Sequence, residues 1–539
     1  MEVSQHGQSQ CIVIQVLSFS FKAGMRVAKW GGNLTTMLTP RRLSGLLLFS
    51  VLSLFGFAQS ASMDAVGGDK ITLNEAIQRA IAKNFSIKVD RFNPVIASAR
   101  LTEAFGKFDP VFNGSYTYSE SLNPALADAT TGFRPSASFT KTDSADLSLN
   151  GVLPWGMTYK FDANSINSRG TFNGYADNYD TFAGISGTQP LLRNFGFGPT
   201  LAAIRIAQVN RGISQWQFRQ SVMDTVTRVI SAYHDLNFAY ANLRSAVRSK
   251  ELAMQLVDEN RKRFKVGSMS EYDVGVAESR AATRDEGILF AQRTVQAAEY
   301  GLKQLITDDK TPGLLAQRIA IEPPPPSPIV VVDAAIDFPR ALQKRPDYQQ
   351  AKLGLQRDGI NVRLQRNQLL PRVDLVGSYG YNGYDSELRT SRQQVKNEDY
   401  RAYSWGVVVS VPLTFTTERG RYRAAKMQER QSATLLEEVE QGIVVSVGNA
   451  AGQIETAQKR VQSTRHALGL AQATLDAEVK RLRAGTSTTF QVAQQQEIVS
   501  GAEVSAARAQ ADYAKALAEY DRQLGVTLEK LNISVEAPK

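Results

Sequence analysis

Cysteine is almost absent: Cys11 is the only one among 539 residues, and it lies upstream of the first apolar run. It is neither a disulfide partner nor the acylated cysteine that would end a lipoprotein signal, so the mature chain has no thiol chemistry. Histidine is nearly as scarce, with three residues. His234 and His466 are the two beyond the leader, and both sit inside long helical patterns where solvated or half-buried side chains are expected. No His or Cys cluster offers metal-ligand spacing. No Gly-rich phosphate loop with a lysine is present, since Gly196-Phe197-Gly198-Pro199 lacks the third glycine and the helix-packing context. The carboxylates fall at coiled-coil surface spacing, as solvated helix faces require. These absences point away from an enzyme, a cofactor or a metal.

Long apolar runs and long charged blocks are missing as well. The net charge is +10, of which +4 falls within residues 1–58. The remaining +6 is spread over a large body without a basic block, so there is no nucleic-acid footprint. The one apolar run is Leu43–Phe57, preceded by Arg41-Arg42 and followed by the small-residue sites Gly56-Phe57-Ala58 and Ala58-Gln59-Ser60. This is the pattern of a secretory signal. It is short of the ~20 residues a membrane helix needs, and no other run approaches that length. Met37 is a natural start. The expectation is an over-extended segment at 1–36 and a signal at 37–60. If this protein crosses a membrane, strands must do it.

What is present is written twice. Arg79-Ala80-Ile81-Ala82-Lys83 returns as Arg340-Ala341-Leu342-Gln343-Lys344, and at the same offset Pro110 returns as Pro371 and Tyr118 as Tyr379. Lys262-Arg263-Phe264-Lys265-Val266-Gly267 returns as Lys480-Arg481-Leu482-Arg483-Ala484-Gly485. A long internal repeat sets architecture before any local motif does. Each copy reads helix, strands, very long helix, turn, helix. The first spans 61–310 and the second 336–526, around a Pro-rich linker at 311–335 with Pro323 to Pro326 and Pro328. Residues 527–539 form a tail.

In the first copy a helix over 71–106 opens on the capping box Thr72-Leu73-Asn74-Glu75. Strands follow at 111–118, 147–153, 157–166 and 181–189, with a polar loop at 122–143 and a hairpin around Pro154-Trp155-Gly156. From 197 to 266 the pattern is helical. Val222, Val226, Val229, Tyr233, Leu236, Tyr240, Leu243 and Val247 recur in steps of four and three, the seam of a coiled coil. A rod of ~70 residues is on the order of 100 Å long. Gly267 closes it and a helix at 270–306 follows. The second copy places strands at 373–381 and 403–415, a polar loop with Lys396, Asn397, Glu398 and Asp399 between them, a long helix at 419–484 and a return helix at 487–524. Its seam is Ile443, Val447, Ala450, Ile454, Ala457 and Val461. From proline to turn glycine the copies span 157 and 114 positions, and the 43 extra residues match the additional hairpin of the first. Two short helices end to end have the length to lie beside one long helix, as in a tube wall.

The set resembles the TolC-type outer-membrane efflux duct family over 71–531. It rests on Leu73-Asn74-Glu75-Ala76-Ile77-Gln78-Arg79-Ala80-Ile81, on Pro110 and Pro371, on Gln189-Pro190-Leu191-Leu192 and Val411-Pro412-Leu413 before the long helices, and on the paired turns. The resemblance implies a mostly α fold with membrane β: an internally duplicated, antiparallel coiled-coil tunnel in the periplasm and a β-barrel in the outer membrane shared by a homotrimer. It implies a periplasmic adaptor and an inner-membrane pump (RND, ABC or MFS type) as partners, and a passive duct for efflux or type I secretion. Independently, an open sheet edge cannot sit in lipid, and these strands are too few to close a wide barrel within one chain. Tyr116, Tyr118, Tyr159, Phe161, Tyr379, Tyr381, Tyr403 and Trp405 suit aromatic girdles, or else plain strand packing on a soluble sheet. Whether the extra hairpin joins the barrel, for six strands per chain instead of four, stays open. The competing reading is a soluble periplasmic coiled-coil adaptor or scaffold.

By the same resemblance, the turns Val266-Gly267-Ser268 and Ala484-Gly485-Thr486 form the closed tunnel tip and meet the adaptor. Many family members carry acidic pore rings beyond the second turn. This chain has Gln491 and Gln494 there, a departure that removes the basis for cation selectivity. Arg263, Asp273, Arg481, Gln491 and Gln494 are the gate candidates, with Asp273 either a gate-closing partner or a helix N-terminal charge.

Overall fold

In each copy the opening helix stops and restarts at one equivalent position. Asn84 leaves the helical region with ψ 128°, and its side chain accepts from the N–H groups of Ser86 and Ile87, capping the next segment. In the second copy Arg345 also leaves the helical region, with ψ 126°, as the residue before Pro346 must, but its side chain makes no cap. The predicted helix over 71–106 is therefore three segments, α1 (Leu73–Lys83), α2 (Phe85–Asp90) and α3 (Phe92–Phe105). The Thr72/Glu75 capping box opens α1.

The computed structural model describes residues 70–124, 130–132, 137–316 and 318–535. Cys11, the segment 1–36, the signal at 37–60 and part of the 122–143 loop lie outside the described residues. After α3 come β1 (Val111–Asn123), β2 (Ser138–Val152), β3 (Thr158–Gly170) and β4 (Tyr179–Pro190). The first copy ends with α4 (Phe197–Thr200), α5 (Ala202–Lys265) and α6 (Glu271–Ile306). The linker holds α7 (Gly313–Ala316); the second copy runs α8 (Ala334–Lys344), α9 (Pro346–Gln368), β5 (Arg372–Asp385), α10 (Leu388–Lys396), β6 (Tyr400–Ser410), α11 (Thr416–Arg483) and α12 (Thr489–Gln523), and the tail holds α13 (Thr527–Lys530).

The long helices carry the body. α5 has 64 residues and α11 has 68, each roughly 100 Å at 1.5 Å per residue. α1–α3 and α6 lie along α5, and α8, α9 and α12 lie along α11; α9 and α12 also pack on α5, joining the copies. The seam read from the sequence is the core. Val222, Val226, Val229, Tyr233 and Leu236 are each 1% exposed or less, and Tyr240 and Val247 pack against them half-buried. Ile443, Val447, Ala450 and Ile454 are the buried counterparts, flanked by Ala457 and Val461. Each large buried side chain contributes about 1.5–3 kcal/mol, so seam burial rather than helical propensity holds the rods.

Several elements differ from the reading above. His466 is exposed, but His234 is buried, because it stands beside Tyr233 on the packed side of α5. Burial lowers its pKa; Asp235 raises it and Lys515 lowers it further. The polar loop of the second copy holds α10, whose Ser391 donates a hydrogen bond of 2.9 Å to Thr181 of β4. β6 ends at Ser410, short of the expected 415: Pro412 follows, and Phe415 takes a positive φ of 49° at the start of α11. The linker is strapped down, with Tyr513 donating to the Pro328 carbonyl at 2.7 Å and accepting from Val330 N–H. The tail is packed too: Leu528, Leu531, Ile533 and Val535 join the core of the first copy.

Candidate functional site: a two-faced sheet and paired helix turns

The six strands form one sheet in the order β1–β2–β3–β4–β5–β6, every neighbouring pair antiparallel. The hairpin left open above is part of it. Because side chains alternate between faces, the register assigns every residue to a side. One row crosses all six strands: Phe112, Leu149, Phe161, Ile185, Tyr379 and Tyr403 stand opposite one another in turn. The adjacent row on the other face reads Val111, Asn150, Lys160, Ser186, Ser378 and Ser404.

The contrast holds along the strands. All eight girdle candidates, Tyr116, Tyr118, Tyr159, Phe161, Tyr379, Tyr381, Tyr403 and Trp405, lie on the apolar face. Leu147, Ala163, Ala183, Leu375 and Val407 extend it. At Asp143, Asn167 and Asp385 the same face turns polar, which bounds the band. The opposite face is mostly Ser, Thr, Asn, Asp and Gly; its apolar side chains include Ile166, Phe182, Val376 and Val408 within the sheet and Val111, Val152, Tyr384, Tyr400 and Ala402 towards the strand ends. The Phe182 ring lies over Gly184 and Gly380. Near the helices, Thr158, Thr188, Asp374 and Ser410 of this polar face line a cavity of 820 Å³ together with Lys107 and Arg193. Asp374 is buried there, held by Arg372 at 2.5 Å.

Along its aromatic band the apolar face is uncovered, with Trp405 78% exposed and Tyr116 70%; beyond the band α10 lies on this face at Thr181 and Gly383. The edges are open as well. Among the described residues β1 and β6 have one strand neighbour each, and every residue of β1 is exposed. Such an edge presents unpaired N–H and C=O groups.

At the far end of α5 and α11 the two turns have the same geometry. Ser268 N–H bonds to the Arg263 carbonyl and Gly267 N–H to that of Phe264; Thr486 repeats the first to Arg481 and Gly485 the second to Leu482. This is the paired-bond closure that a left-handed residue allows, and Gly267 (φ 75°) and Gly485 (φ 78°) supply it. Val266, Ser268, Ala484 and Thr486 are all exposed. Capping boxes then start the return helices, Ser270 with Asp273 and Thr488 with Gln491. Arg280 of α6 lies 4.5 Å over the Phe490 ring of α12, which brings both turns to one end of the helical body.

Within the chain, Asp273 is engaged by Ser270, while Arg263 bonds to Glu259 at 3.0 Å and Arg481 lies 3.5 Å from Glu478. Gln494 is exposed on α12. Sequence reasoning missed Asn260 and Glu478, which occupy equivalent positions at the repeat offset of the turns. Glu478 accepts from Ser487, whereas Asn260 is buried and donates weakly, at 3.4 Å, to the Asp273 carbonyl. Each turn thus carries one carboxylate and one amide in opposite order, a signal visible only once the copies are aligned. Among the described residues no group of His, Cys, Asp or Glu could hold a metal ion, and no helix is long and apolar enough to cross a membrane.

The family described as outer membrane efflux protein matches residues 136–307 and 338–526, one block in each copy. The chain belongs to the outer membrane efflux protein family. Its place is the outer membrane. The efflux protein is 23% identical over 449 residues to the outer membrane efflux protein BepC of Brucella suis biovar 1 (strain 1330), covering 82% of each chain. Its fold is similar to the Campylobacter jejuni CmeC outer membrane channel (TM-score 0.63, 16% identity, 84% of this chain and 86% of that one). It is also similar to VceC of Vibrio cholerae (0.60, 16%, 84% and 96%) and to the open state of the Neisseria gonorrhoeae MtrE channel (0.59, 17%, 85% and 89%).

Proposed function

We propose that three copies of this efflux protein close a single barrel, β6 of each pairing with β1 of the next, and that their long helices enclose a periplasmic tunnel below it. The assembly is then a passive exit duct of a tripartite efflux or type I secretion system. An inner-membrane pump supplies the energy, and a periplasmic adaptor docks at the exposed turns around Gly267 and Gly485. The observation that carries this reading is the open-edged, two-faced sheet. Its apolar face suits lipid, its polar face suits a water-filled lumen, and its edges must be satisfied wherever lipid excludes water. A soluble scaffold has no use for a band of uncovered aromatics. At the tip, Arg263, Asp273, Arg481, Gln491 and Gln494 are the groups placed to form inter-protomer polar contacts in a closed state, with glutamine where a carboxylate ring would attract cations. The test is fractionation with gel analysis and planar-bilayer recording. Heat-modifiable trimers in the outer membrane that pass ions support the duct; a soluble periplasmic monomer without current refutes it.

A further inference from the structure

The sheet contains two more strands than the repeat accounts for. The second copy has only β5 and β6, joined by residues 386–399. At the repeat offset β1 overlays β5, with Tyr118 on Tyr379, and Pro190 ending β4 corresponds to Pro412 just after β6. β4 is therefore the counterpart of β6. In the first copy residues 124–178 make the same connection, and β2 and β3 lie within them. The hairpin is an insertion between two strands that pair directly in the other copy.

An inserted hairpin could project into water as a loop. This one does not carry a loop's pattern. It enters the sheet between β1 and β4 in continuous register on both sides. Leu149 and Phe161 continue the apolar row from Phe112 to Ile185, and Leu147 and Ala163 extend it. Its other face shows Ser148, Asn150, Lys160, Asp162 and Asn164, with Lys160 and Asp162 paired at 2.7 Å. We infer that the β2–β3 hairpin is a wall element that widens the barrel, raising the strand count of the trimer from twelve to eighteen. This rests on the trimeric reading above. Barrel diameter grows roughly linearly with strand number, so the wall without the hairpin has about two-thirds of the diameter. Barrels of about 16–18 strands leave an aqueous channel. The wider wall therefore leaves an outer mouth broad enough to hold an aqueous channel for polar solutes.

The topology also says that the insertion is removable. β1 and β4 run in opposite directions, and the registers place Phe112 and Ile185 on one face and level with each other. Taking out the hairpin leaves two strands that can pair without turning a face.

Single cysteines test this in the full-length protein, in a Cys11→Ser background that removes the only native thiol. Ala163→Cys and Asn164→Cys probe the two faces of β3; Tyr379→Cys and Ser378→Cys probe those of β5. With a water-soluble maleimide on trimers in lipid, Asn164→Cys and Ser378→Cys should react at least about tenfold faster than their neighbours, because lipid excludes the reagent from the apolar face. Equal rates on β3 with alternation on β5 would overturn the hairpin inference and leave the trimer standing. No alternation on either strand would overturn the barrel itself. A second variant replaces residues 124–178 with the 386–399 connector. It should still form trimers while excluding smaller neutral polymers from the outer mouth, and an unchanged size cut-off would refute the widening.

Discussion

A charge placed on one or the other face of β4 separates lipid from lumen within a single residue step. Ile185 sits in the middle of the six-residue apolar row, and Ser186 is its neighbour on the polar face. Ile185 is 42% exposed in the isolated chain. Full burial of such a side chain is worth about 1.5–3 kcal/mol, so lipid contact supplies roughly 1 kcal/mol at this position. An arginine on the lipid face of a barrel costs about 2–4 kcal/mol near the midplane. Ile185→Arg should therefore lose about 3–5 kcal/mol, a hundredfold or more in the folding equilibrium. Ser186→Arg faces water and should stay within about 0.5 kcal/mol. The assay is urea titration of folding into lipid vesicles, read by gel mobility. Equal losses for the two variants, or a larger loss for Ser186→Arg, would refute the assignment of faces and with it the membrane role of the sheet.

Further outcomes follow from the helical body. Tyr233, whose hydroxyl burial pushes up to about 12, lies within hydrogen-bonding distance of the Ile71 and Glu322 carbonyls at 2.9 and 2.6 Å. Tyr233→Phe removes the hydroxyl that reaches both carbonyls, of which that of Ile71 keeps the Glu322 N–H, and should cost about 0.5–1.5 kcal/mol in detergent unfolding; a neutral change would count against a stabilising role of this contact. His234 has a folded pKa below its free value, so the unfolded chain binds more protons between the two. Thermal stability should be level above about pH 6.5 and fall below it, and His234→Gln should flatten that fall; the same slope in the variant would assign the effect elsewhere. Asp273→Gln keeps a capping box of the kind Gln491 forms and removes the charge, so a raised resting conductance in planar bilayers would mark Asp273 as a gate partner and an unchanged one would reduce it to a cap.

Much of the helical body was legible because burial follows periodicity. The seam from Val222 to Leu243 needed only the 3.5-residue repeat, and the capping box at Thr72 only local spacing. The break in the opening helix was half legible. Pro346 announces it in the second copy, and the offset of 261 carries it to Asn84, where no proline stands. α10 was hidden because Leu388–Lys396 is almost wholly polar, and its packing against β5 is a tertiary fact. His234 misled for a related reason: a single side chain on a long helix does not reveal which neighbour covers it.

The sheet draws the same line. Alternation along each strand determined that it has two unlike faces, because successive side chains point to opposite sides whatever the partner. The turn glycines and the duplication were likewise present in the order of residues. Which strands stand side by side, that the hairpin enters the wall, and that one apolar row crosses all six strands were decided by register. Register is a pairing between distant segments, and only the tertiary structure brings those segments together.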